Sequence, residues 1–402
     1  GSVELTTKKN GTPYQFSDVG AEGNLRGVTF FGDSQVKAVG RSVAFVDDLD
    51  NDGAHGLLIG APGSTLPSGG APGMGFYVPD HIVGTAASPI SLCTIGFPFE
   101  EGTCESGPDE LGGLQFFGHW GGALAGQVVA AGYVTGKGVT DLFFASDNYS
   151  SDNQNLEKTK GAGGVDIVPI PLGFDPDAAR ARFVLAPDGV PQWSPVPGDA
   201  IPDNLPNAKR LVGAQNELAG AYVLTADLNG ANPGGQTLII SARTNQLMNG
   251  GMIYVFPSGS LEKAKTLANA PIRLLSTNQK TTMAAAAGNV AGKPNDGEEL
   301  IVAHWAANAL NNGAYILTNV AQMSALPQPL EIEETAALRF EGDETTDTAI
   351  ERNYHIATMD DFDGDGLPEL AIADTAAADG KGRIYLFTST EIQANLKTGA
   401  NQ

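Results

Sequence analysis

Glu369-Leu370-Ala371-Ile372-Ala373, close to the C-terminal end of the sequence, has four gap-free counterparts earlier in the chain. In each, leucine is second, a large apolar residue is fourth and a small residue is fifth, as expected for a tightly packed strand that then leaves its sheet. The counterparts are Gly56-Leu57-Leu58-Ile59-Gly60, Asp141-Leu142-Phe143-Phe144-Ala145, Thr237-Leu238-Ile239-Ile240-Ser241 and Glu299-Leu300-Ile301-Val302-Ala303. The chain therefore contains five detectable copies of one structural unit.

Each copy is flanked by further predicted strands. A strand rich in small and β-branched residues precedes it, as at 354–359; a third strand follows a glycine, as at 384–387; and a less regular fourth precedes the next copy, as at 272–275. Four antiparallel strands per copy predict an all-β fold, a β-propeller of four-stranded antiparallel blades. The leucines are 85, 96, 62 and 70 residues apart, whereas the alternative, a β-solenoid, needs shorter and more uniform turns. We expect five to seven blades: either the ring is smaller than usual, or insertions near 79–115 and 170–210 hide degenerate blades.

Composition agrees with many tight turns and restricts the partners. The chain has 52 glycines and 24 prolines, which mark turns rather than long helices. Its formal net charge of -23 argues against nucleic acid, which requires clustered Lys and Arg, and makes cations the more suitable partners. No apolar run reaches the length of about 18 residues that predicts a transmembrane helix.

The two cysteines, Cys93 and Cys104, lie close together in a Gly/Pro-rich stretch. In a secreted protein such a pair forms a disulfide that closes a short loop; the alternative is two free thiols. Four ligands for zinc are not available. Gly1-Ser2 is typical of a cloning remnant, so we expect an excised mature fragment of an extracellular or cell-surface protein, with the periplasm as an alternative location.

The turn before the fifth copy, residues 361–369, predicts a calcium site. It places carboxylates at loop positions 1, 3, 5 and 9 and a glycine at position 6. Ca²⁺ takes six to eight oxygen ligands with flexible geometry, including a backbone carbonyl at position 7. The expected ligands are Asp361, Asp363, Asp365, the carbonyl of Leu367, and Glu369.

The turn before the first copy, residues 48–56, predicts a second calcium site with one ligand missing. Asp48, Asp50 and Asp52, with the carbonyl of Ala54, match positions 1, 3, 5 and 7, but position 9 is glycine. Water or a neighbour such as Asp47 would have to complete the shell. The alternative is an ordinary Asx-rich turn.

The corresponding turns of the other three copies do not predict metal sites. In the second, Lys137 occupies the fifth position, where its ammonium group could replace the cation while Asp141 remains. The third, at 227–229, and the fourth, at 289–296, have altered lengths and few ligands.

Together these motifs resemble the FG-GAP repeat of integrin α-chain N-terminal β-propellers. The resemblance is carried by the glycine-preceded strand, the two Asp-rich loops, Leu-Leu-Ile-Gly-Ala-Pro-Gly at 57–63, and the dipeptides Phe31-Gly32 and Phe117-Gly118. It spans nearly the whole chain but is clear only in the first and fifth copies. Members usually close with seven blades. We expect an N-terminal segment at 1–27 that supplies a closing strand beside the C-terminal one, the propeller at 28–390, and a tail at 391–402.

The resemblance also places a ligand-binding face opposite the metal loops. Strand direction alternates, so the loops that follow the second strands lie at the other end of each blade. Those loops contain the candidate ligand-binding residues Tyr149, Arg243, His304 and Trp305. An exposed Trp stacks on a sugar ring or anchors a peptide; the alternative is that Trp305 packs between blades.

These features predict a calcium-stabilised binding or adhesion module for a protein or carbohydrate ligand. One alternative is a secreted enzyme acting on polysaccharide or lipid, as some propellers resembling this one do. Catalysis needs convergent acid, base or nucleophile groups, but the five histidines are scattered and no serine elbow, phosphate loop or paired-histidine metal motif occurs. We therefore do not expect an enzyme. A third reading is a passive structural module of a larger surface protein or adhesin.

Overall fold

The computed structural model describes residue 19 and residues 27–49, 52–65, 72–85, 89–96, 111–118, 124–136, 138–147, 161–171, 173–175, 181–185, 192–193, 208–228, 235–244, 250–276, 281–292, 297–305, 313–341, 354–374 and 382–396.

Strands make up most of the regular structure. The first twelve are β1 (Phe30–Phe31), β2 (Ser42–Val46), β3 (Gly56–Ala61), β4 (Met74–Val78), β5 (Ile90–Ser91), β6 (Leu114–Gly118), β7 (Val128–Gly132), β8 (Val139–Ser146), β9 (Gly164–Pro171), β10 (Ala181–Leu185), β11 (Gln192–Trp193) and β12 (Lys209–Val212). The remaining twelve are β13 (Ala219–Ala226), β14 (Thr237–Ala242), β15 (Met252–Phe256), β16 (Ile272–Leu275), β17 (Thr281–Gly288), β18 (Glu299–Trp305), β19 (Gly313–Leu317), β20 (Leu330–Glu331), β21 (Leu338–Glu341), β22 (Tyr354–Met359), β23 (Glu369–Asp374) and β24 (Arg383–Phe387).

The helices are short. In the part of the chain that the structure describes, the α-helices are α1 (Asp80–Thr85), α2 (Ile332–Thr335) and α3 (Ser389–Asn395), and 3₁₀ turns occupy Leu92–Thr94, Leu261–Lys263, Leu267–Asn269 and Val320–Ala325. None of the described helices combines the length and apolarity needed to cross a membrane.

Each of the five copies forms its own antiparallel sheet, as predicted. Sheet 1 contains β2-β3-β4-β6, sheet 2 β7-β8-β9-β12, sheet 3 β13-β14-β15-β16, sheet 4 β17-β18-β19-β21 and sheet 5 β22-β23-β24. The leucine-containing segment is the second strand in every sheet. Sheets 1 to 4 have the expected four antiparallel strands, whereas sheet 5 has three among the described residues. The chain is therefore all-β and repetitive.

Two sheets gain extra strands from insertions. In sheet 1, β10 pairs in parallel with β6 and β11 pairs with β10. In sheet 3, β20 pairs in parallel with β16. The described part of the insertion at 170–210 thus extends sheet 1 and does not form a further four-stranded sheet.

The second strands carry apolar residues on both faces because both faces are covered. All six residues of β14 are buried. Separate hydrophobic clusters fill the spaces between sheets 1 and 2, 2 and 3, 3 and 4, and 4 and 5. The sheets are therefore stacked in chain order.

Small residues and hydroxyl groups join the first strands of neighbouring sheets. The Ser42 Oγ accepts a hydrogen bond from the Val129 N–H at 3.0 Å, and the Thr358 Oγ1 donates to the Ala287 carbonyl at 2.8 Å. A Cβ added to Gly288 would lie 2.7 Å from Cγ2 of Thr358. Glycine at this position is therefore what lets sheets 4 and 5 approach so closely.

A covering layer packs on the outer face of sheet 1, the face turned away from sheet 2. It includes Phe30 of β1, Ile82 of α1, Ile90 of β5 and Cys93, which form one cluster with Phe76 and other sheet residues. At the opposite end, Ile392 of α3 packs into the core between sheets 4 and 5.

Candidate metal centre

Four carboxylate side chains converge in the loop that precedes β23. One oxygen each from Asp361, Asp363, Asp365 and Glu369 lies within 4.8 Å of the others. The three aspartates are exposed and the glutamate is buried. The structure thus brings together the four carboxylates that the spacing in the sequence predicted to meet.

Asx turns hold the loop in this shape. Asp361 accepts hydrogen bonds from the N–H groups of Gly364 at 2.6 Å and Gly366 at 2.9 Å. Asp363 accepts from the Asp365 N–H at 3.1 Å. Gly364 and Gly366 have φ values of 86° and 87°, a left-handed conformation that glycine adopts without steric cost. The chain therefore wraps around the first carboxylate and directs the next two inwards.

Glu369 forms the base of the cluster and is fully buried. Its Oε2 accepts a hydrogen bond from the Phe362 N–H at 2.6 Å. Its Oε1 is buried and has no hydrogen-bond partner among the described residues. Burying a carboxylate oxygen without a partner is unfavourable, and three more carboxylates nearby add like-charge repulsion. A metal ion would relieve both penalties.

Helix α3 braces the loop from a distance of more than twenty residues along the chain. The Thr390 hydroxyl donates to Oδ2 of Asp365 at 3.2 Å, and the Ser389 hydroxyl donates to the Pro368 carbonyl at 2.6 Å. The Leu367 N–H donates a hydrogen bond to Oδ1 of Asp365 at 2.9 Å. That the Leu367 carbonyl is a metal ligand stays a prediction. Sequence reasoning missed Ser389 and Thr390, because nothing in their spacing points to this loop.

The carboxylate oxygens of the cluster suit a hard cation. Carboxylate oxygens favour Mg²⁺, Ca²⁺ or Mn²⁺ over metals that prefer nitrogen or sulfur ligands. The cluster can therefore hold a metal ion.

The loop of sheet 1 wraps in the same way around its first aspartate. Asp48 accepts hydrogen bonds from the N–H groups of Asp52 at 2.9 Å and Gly53 at 2.7 Å, and Asp52 accepts from the Ala54 N–H at 2.9 Å. Asp50 lies outside the described residues. Calcium at this loop stays a prediction.

Tyr77 leaves no room for a ligand side chain at position 9 of that loop, Gly56. A Cβ added to Gly56 would lie 2.4 Å from the ring of Tyr77, so the tyrosine occupies the space that a Glu369-like side chain would need. Oδ1 of Asp47, the expected substitute ligand, lies 3.3 Å from Nδ1 of His55, and the Asp47 carboxylate accepts a hydrogen bond from the Tyr133 hydroxyl. Asp47 is thus held by His55 and Tyr133.

In sheet 2 the loop itself supplies hydrogen-bond donors to the carboxylate at position 9, Asp141. Asp141 is fully buried; its Oδ2 accepts from the N–H groups of Val134 at 2.8 Å and Thr135 at 2.7 Å, and its Oδ1 accepts from the Thr135 hydroxyl at 2.7 Å. Burial raises the pKa of Asp141, opposed by these hydrogen bonds. Donors from the loop thus satisfy the Asp141 carboxylate. Lys137, its expected ammonium partner, lies outside the described residues.

A buried residue immediately before the leucine is a general feature of the five sheets. In sheet 4, Oε2 of Glu299 accepts from the Ala291 N–H at 3.0 Å, and in sheet 3 the position is Thr237, which is buried. Glu299, Asp141 and Glu369 therefore share one structural role, which is to accept hydrogen bonds from the backbone of their own loops. Only Glu369 is part of an acidic cluster among the described residues.

At the other end of the sheets, the candidate ligand-binding residues are only partly described. Arg243 Nη2 lies 3.0 Å from Oδ2 of Asp147, so this arginine joins sheet 3 to sheet 2. His304 and Trp305 end β18 and pair with Thr282 and Thr281, but their side chains lie outside the description, as does Tyr149.

The covering layer of sheet 1 contains a disulfide. Cys93 is fully buried and disulfide-bonded. Cys104, its expected partner and the only other cysteine of the chain, lies outside the described residues.

Comparisons with known proteins do not assign the chain to a family. No protein-family model matches it, and no curated protein matches its sequence. The resemblance to FG-GAP repeats therefore remains a hypothesis that rests on the motifs and on five antiparallel sheets in series.

Proposed function

We propose that this protein is a calcium-stabilised β-propeller that acts outside the cell as a ligand-binding or adhesion module. The observation that carries the metal part is the unpartnered Oε1 of Glu369, fully buried below Asp361, Asp363 and Asp365. The serial packing of five sheets supports the propeller, and the disulfide at Cys93 supports an oxidising location.

Calcium is the cation that best fits the loop. Four carboxylates and a backbone carbonyl offer more protein oxygens than Mg²⁺ usually takes, because Mg²⁺ keeps several waters in a strict octahedron. The position-by-position match to a calcium loop, including glycine at position 6, points the same way.

Calorimetric titration of the metal-free protein with Ca²⁺ and with Mg²⁺ tests the ion. Glu369→Gln should weaken Ca²⁺ binding at least tenfold, since it removes the buried charge at the base of the cluster. Glu299→Gln is the matched control: it makes the same change at the same position of sheet 4, away from the cluster. Equal loss in both variants, or tighter binding of Mg²⁺ than of Ca²⁺, would contradict the assignment.

The ligand-binding part of the proposal concerns the end of the sheets opposite the metal loop. The loops after the second strands lie there, and the Asp147–Arg243 ion pair joins two of them. An ion pair that fixes neighbouring loops keeps a binding surface preorganised.

A screen of glycans and extracellular proteins, with calcium and with EDTA, tests this part. Binding that Tyr149→Ala or Trp305→Ala abolishes, while the melting temperature is unchanged, supports recognition by this face. Binding that survives both changes contradicts the assignment of those residues, and no selective ligand favours a passive module.

A further inference from the structure

We propose that β1 is the fourth strand of sheet 5, and that its pairing with β24 closes the five sheets into a five-bladed ring. This inference rests on the proposed propeller and specifies how it closes. Its starting point is the open side of sheet 5. Among the described strands β24 pairs only with β23, and its Ile384 and Leu386 side chains are 77% and 45% exposed.

Chain order supplies the first argument. The fourth strand of a sheet leads directly into the first strand of the next: β6 precedes β7, β12 precedes β13, and β21 precedes β22. In the same way β1 precedes β2, the first strand of sheet 1. The position of β1 in the chain is therefore that of a fourth strand whose own sheet lies elsewhere, and sheet 5 is the sheet that has no fourth strand among the described residues.

The parallel strands supply the second argument. The connection after the third strand of sheet 2 provides β10, which pairs in parallel with the fourth strand of sheet 1. The corresponding connection of sheet 4 provides β20, which pairs in parallel with the fourth strand of sheet 3. In sheet 1 this connection provides β5, and β5 pairs in parallel with β1. By the same relation β1 belongs to the sheet that precedes sheet 1, which in a ring is sheet 5.

The turn that follows β1 supplies the third argument. Phe31-Gly32 and Phe117-Gly118 each begin an eleven-residue segment that leads into a first strand. Ala38 and Gly40 have φ values of 57° and 76°, and the residues at the same offsets, Leu124 and Gly126, have 52° and 80°. Both turns close with the same hydrogen bond, from Arg41 N–H to Ala38 at 3.3 Å and from Gln127 N–H to Leu124 at 3.2 Å. The end of the turn after β1 thus repeats the described end of the turn after β6.

The register of the missing pairing follows from the sheets that are complete. Gly73, with φ 72°, precedes β4, and the next residue, Met74, pairs with Phe117 just before Gly118. Sheet 2 repeats this arrangement with Gly163, Gly164 and Val212.

In sheet 5 the corresponding glycine is Gly382, with φ 78°. The same register pairs Arg383 with Phe31 and Ile384 with Phe30, and two residues further on it pairs Leu386 with Val28.

This register also explains the exposed side chains. Directly opposed residues of an antiparallel pair lie on the same face, so Ile384 and Leu386 would lie beside Phe30 and Val28. Both partners already pack in the covering layer on the outer face of sheet 1. Closure therefore buries the apolar side chains of β24 against the existing core of sheet 1.

A cysteine cross-link tests the register. Phe30→Cys with Ile384→Cys should form a disulfide within one chain, because the Cβ atoms of opposed residues approach the distance a disulfide requires. The control is Phe31→Cys with Ile384→Cys, whose side chains would lie on opposite faces. Peptide mapping of the dilute, folded, full-length protein reads out the link. A link between two chains would assign the edge to a second copy, and no link above the control would leave the ring open; either result overturns the proposal.

Hydrogen exchange of the unmodified protein gives an independent reading. The third strand β19 is paired on both sides and serves as the internal reference. A closed ring predicts equal slowing of exchange over β24 and β19. An open edge leaves about half of the β24 amides unpaired, and their rapid exchange overturns the proposal even if a cysteine variant misfolds.

The outcomes separate this inference from the proposed function. Calcium binding without the 30–384 link would leave the metal centre standing and remove this closure. The link without calcium binding would do the reverse.

Discussion

The Nη2 of Arg243 lies 3.0 Å from Oδ2 of Asp147, and this contact joins the end of β14 to the end of β8. The aspartate is buried, whereas about a third of the arginine side chain is exposed. Sheets 2 and 3 are thus connected by an ion pair at the end opposite the metal loop, as well as by their apolar core.

Removing the arginine should destabilise the protein. Arg243→Met leaves the buried Asp147 carboxylate without its counter-charge, which we expect to lower the free energy of unfolding by about 1–2 kcal/mol after allowance for solvent screening. Urea unfolding measures the change. Adding Asp147→Asn should recover part of the loss, because the unpaired charge disappears; additive losses in the double variant would show that the two residues are not coupled.

Asp363→Asn should remove the tighter of the two proposed calcium sites. Asp363 is one of four converging carboxylates in the loop of sheet 5. Asp52 belongs to the loop of sheet 1, where position 9 is Gly56 and the ring of Tyr77 occupies the space beside it. Bound calcium stabilises only the folded state, by about 2.7 kcal/mol at a hundredfold excess over Kd. The calcium-dependent rise in melting temperature should therefore be lost in Asp363→Asn and largely kept in Asp52→Asn. The reverse ranking would move the principal site to sheet 1.

Stability should fall as pH rises across the titration of Glu217. Burial raises the pKa of this carboxyl, partly offset by hydrogen bonds from Tyr254 and Ala214. The folded state therefore keeps the proton to a higher pH than the unfolded chain does. Its stabilising effect is complete below the ordinary glutamate pKa and is lost as pH rises through the raised value.

Glu217→Gln should flatten that part of the pH dependence. Unfolding free energies measured from pH 4 upwards, with metal-binding conditions held constant, give the slope. Glu262→Gln is the matched control because Glu262 is exposed. If both variants keep the slope of the parent protein, Glu217 does not cause it.

Gly288→Ala should weaken the junction between sheets 4 and 5. The added Cβ would lie 2.7 Å from Cγ2 of Thr358, and overpacking of this kind lowers the free energy of unfolding by about 1–3 kcal/mol. Thr358→Ser removes that Cγ2 and keeps the hydroxyl that bonds Ala287. The double variant should regain most of the lost stability in denaturant unfolding; no recovery would place the strain elsewhere.

Local patterns explain what could be predicted from the sequence. The strands expected at 354–359 and 272–275 are observed with those same limits, because the alternation and the turn residues that define a strand lie within its own few residues. The cluster at 361–369 was predictable for the same reason, since all four carboxylates belong to one short loop.

Long-range contacts explain what could not be predicted. The sequence indicates a vacant ligand position at Gly56. In the structure, the ring of Tyr77 from the neighbouring strand occupies the space that a side chain at this position would need. The strand at Ala181–Leu185 joins sheet 1 in parallel, a pairing that no periodicity within 181–185 encodes. Similarly, Thr390 reaches the metal loop only because α3 folds back against it.

Sheet 5 combines three of these features: the acidic loop, the bracing helix α3 and a third strand without a fourth among the described residues. In the proposed ring, sheet 5 is the sheet whose fourth strand, β1, comes from the other end of the chain, so the ring can open there as one cooperative unit. An ion bound between the loop carboxylates would therefore set how readily the C-terminal region is cleaved by proteases. We expect the molecule to be intact where calcium is plentiful, and to be trimmed from this end first where calcium is scarce.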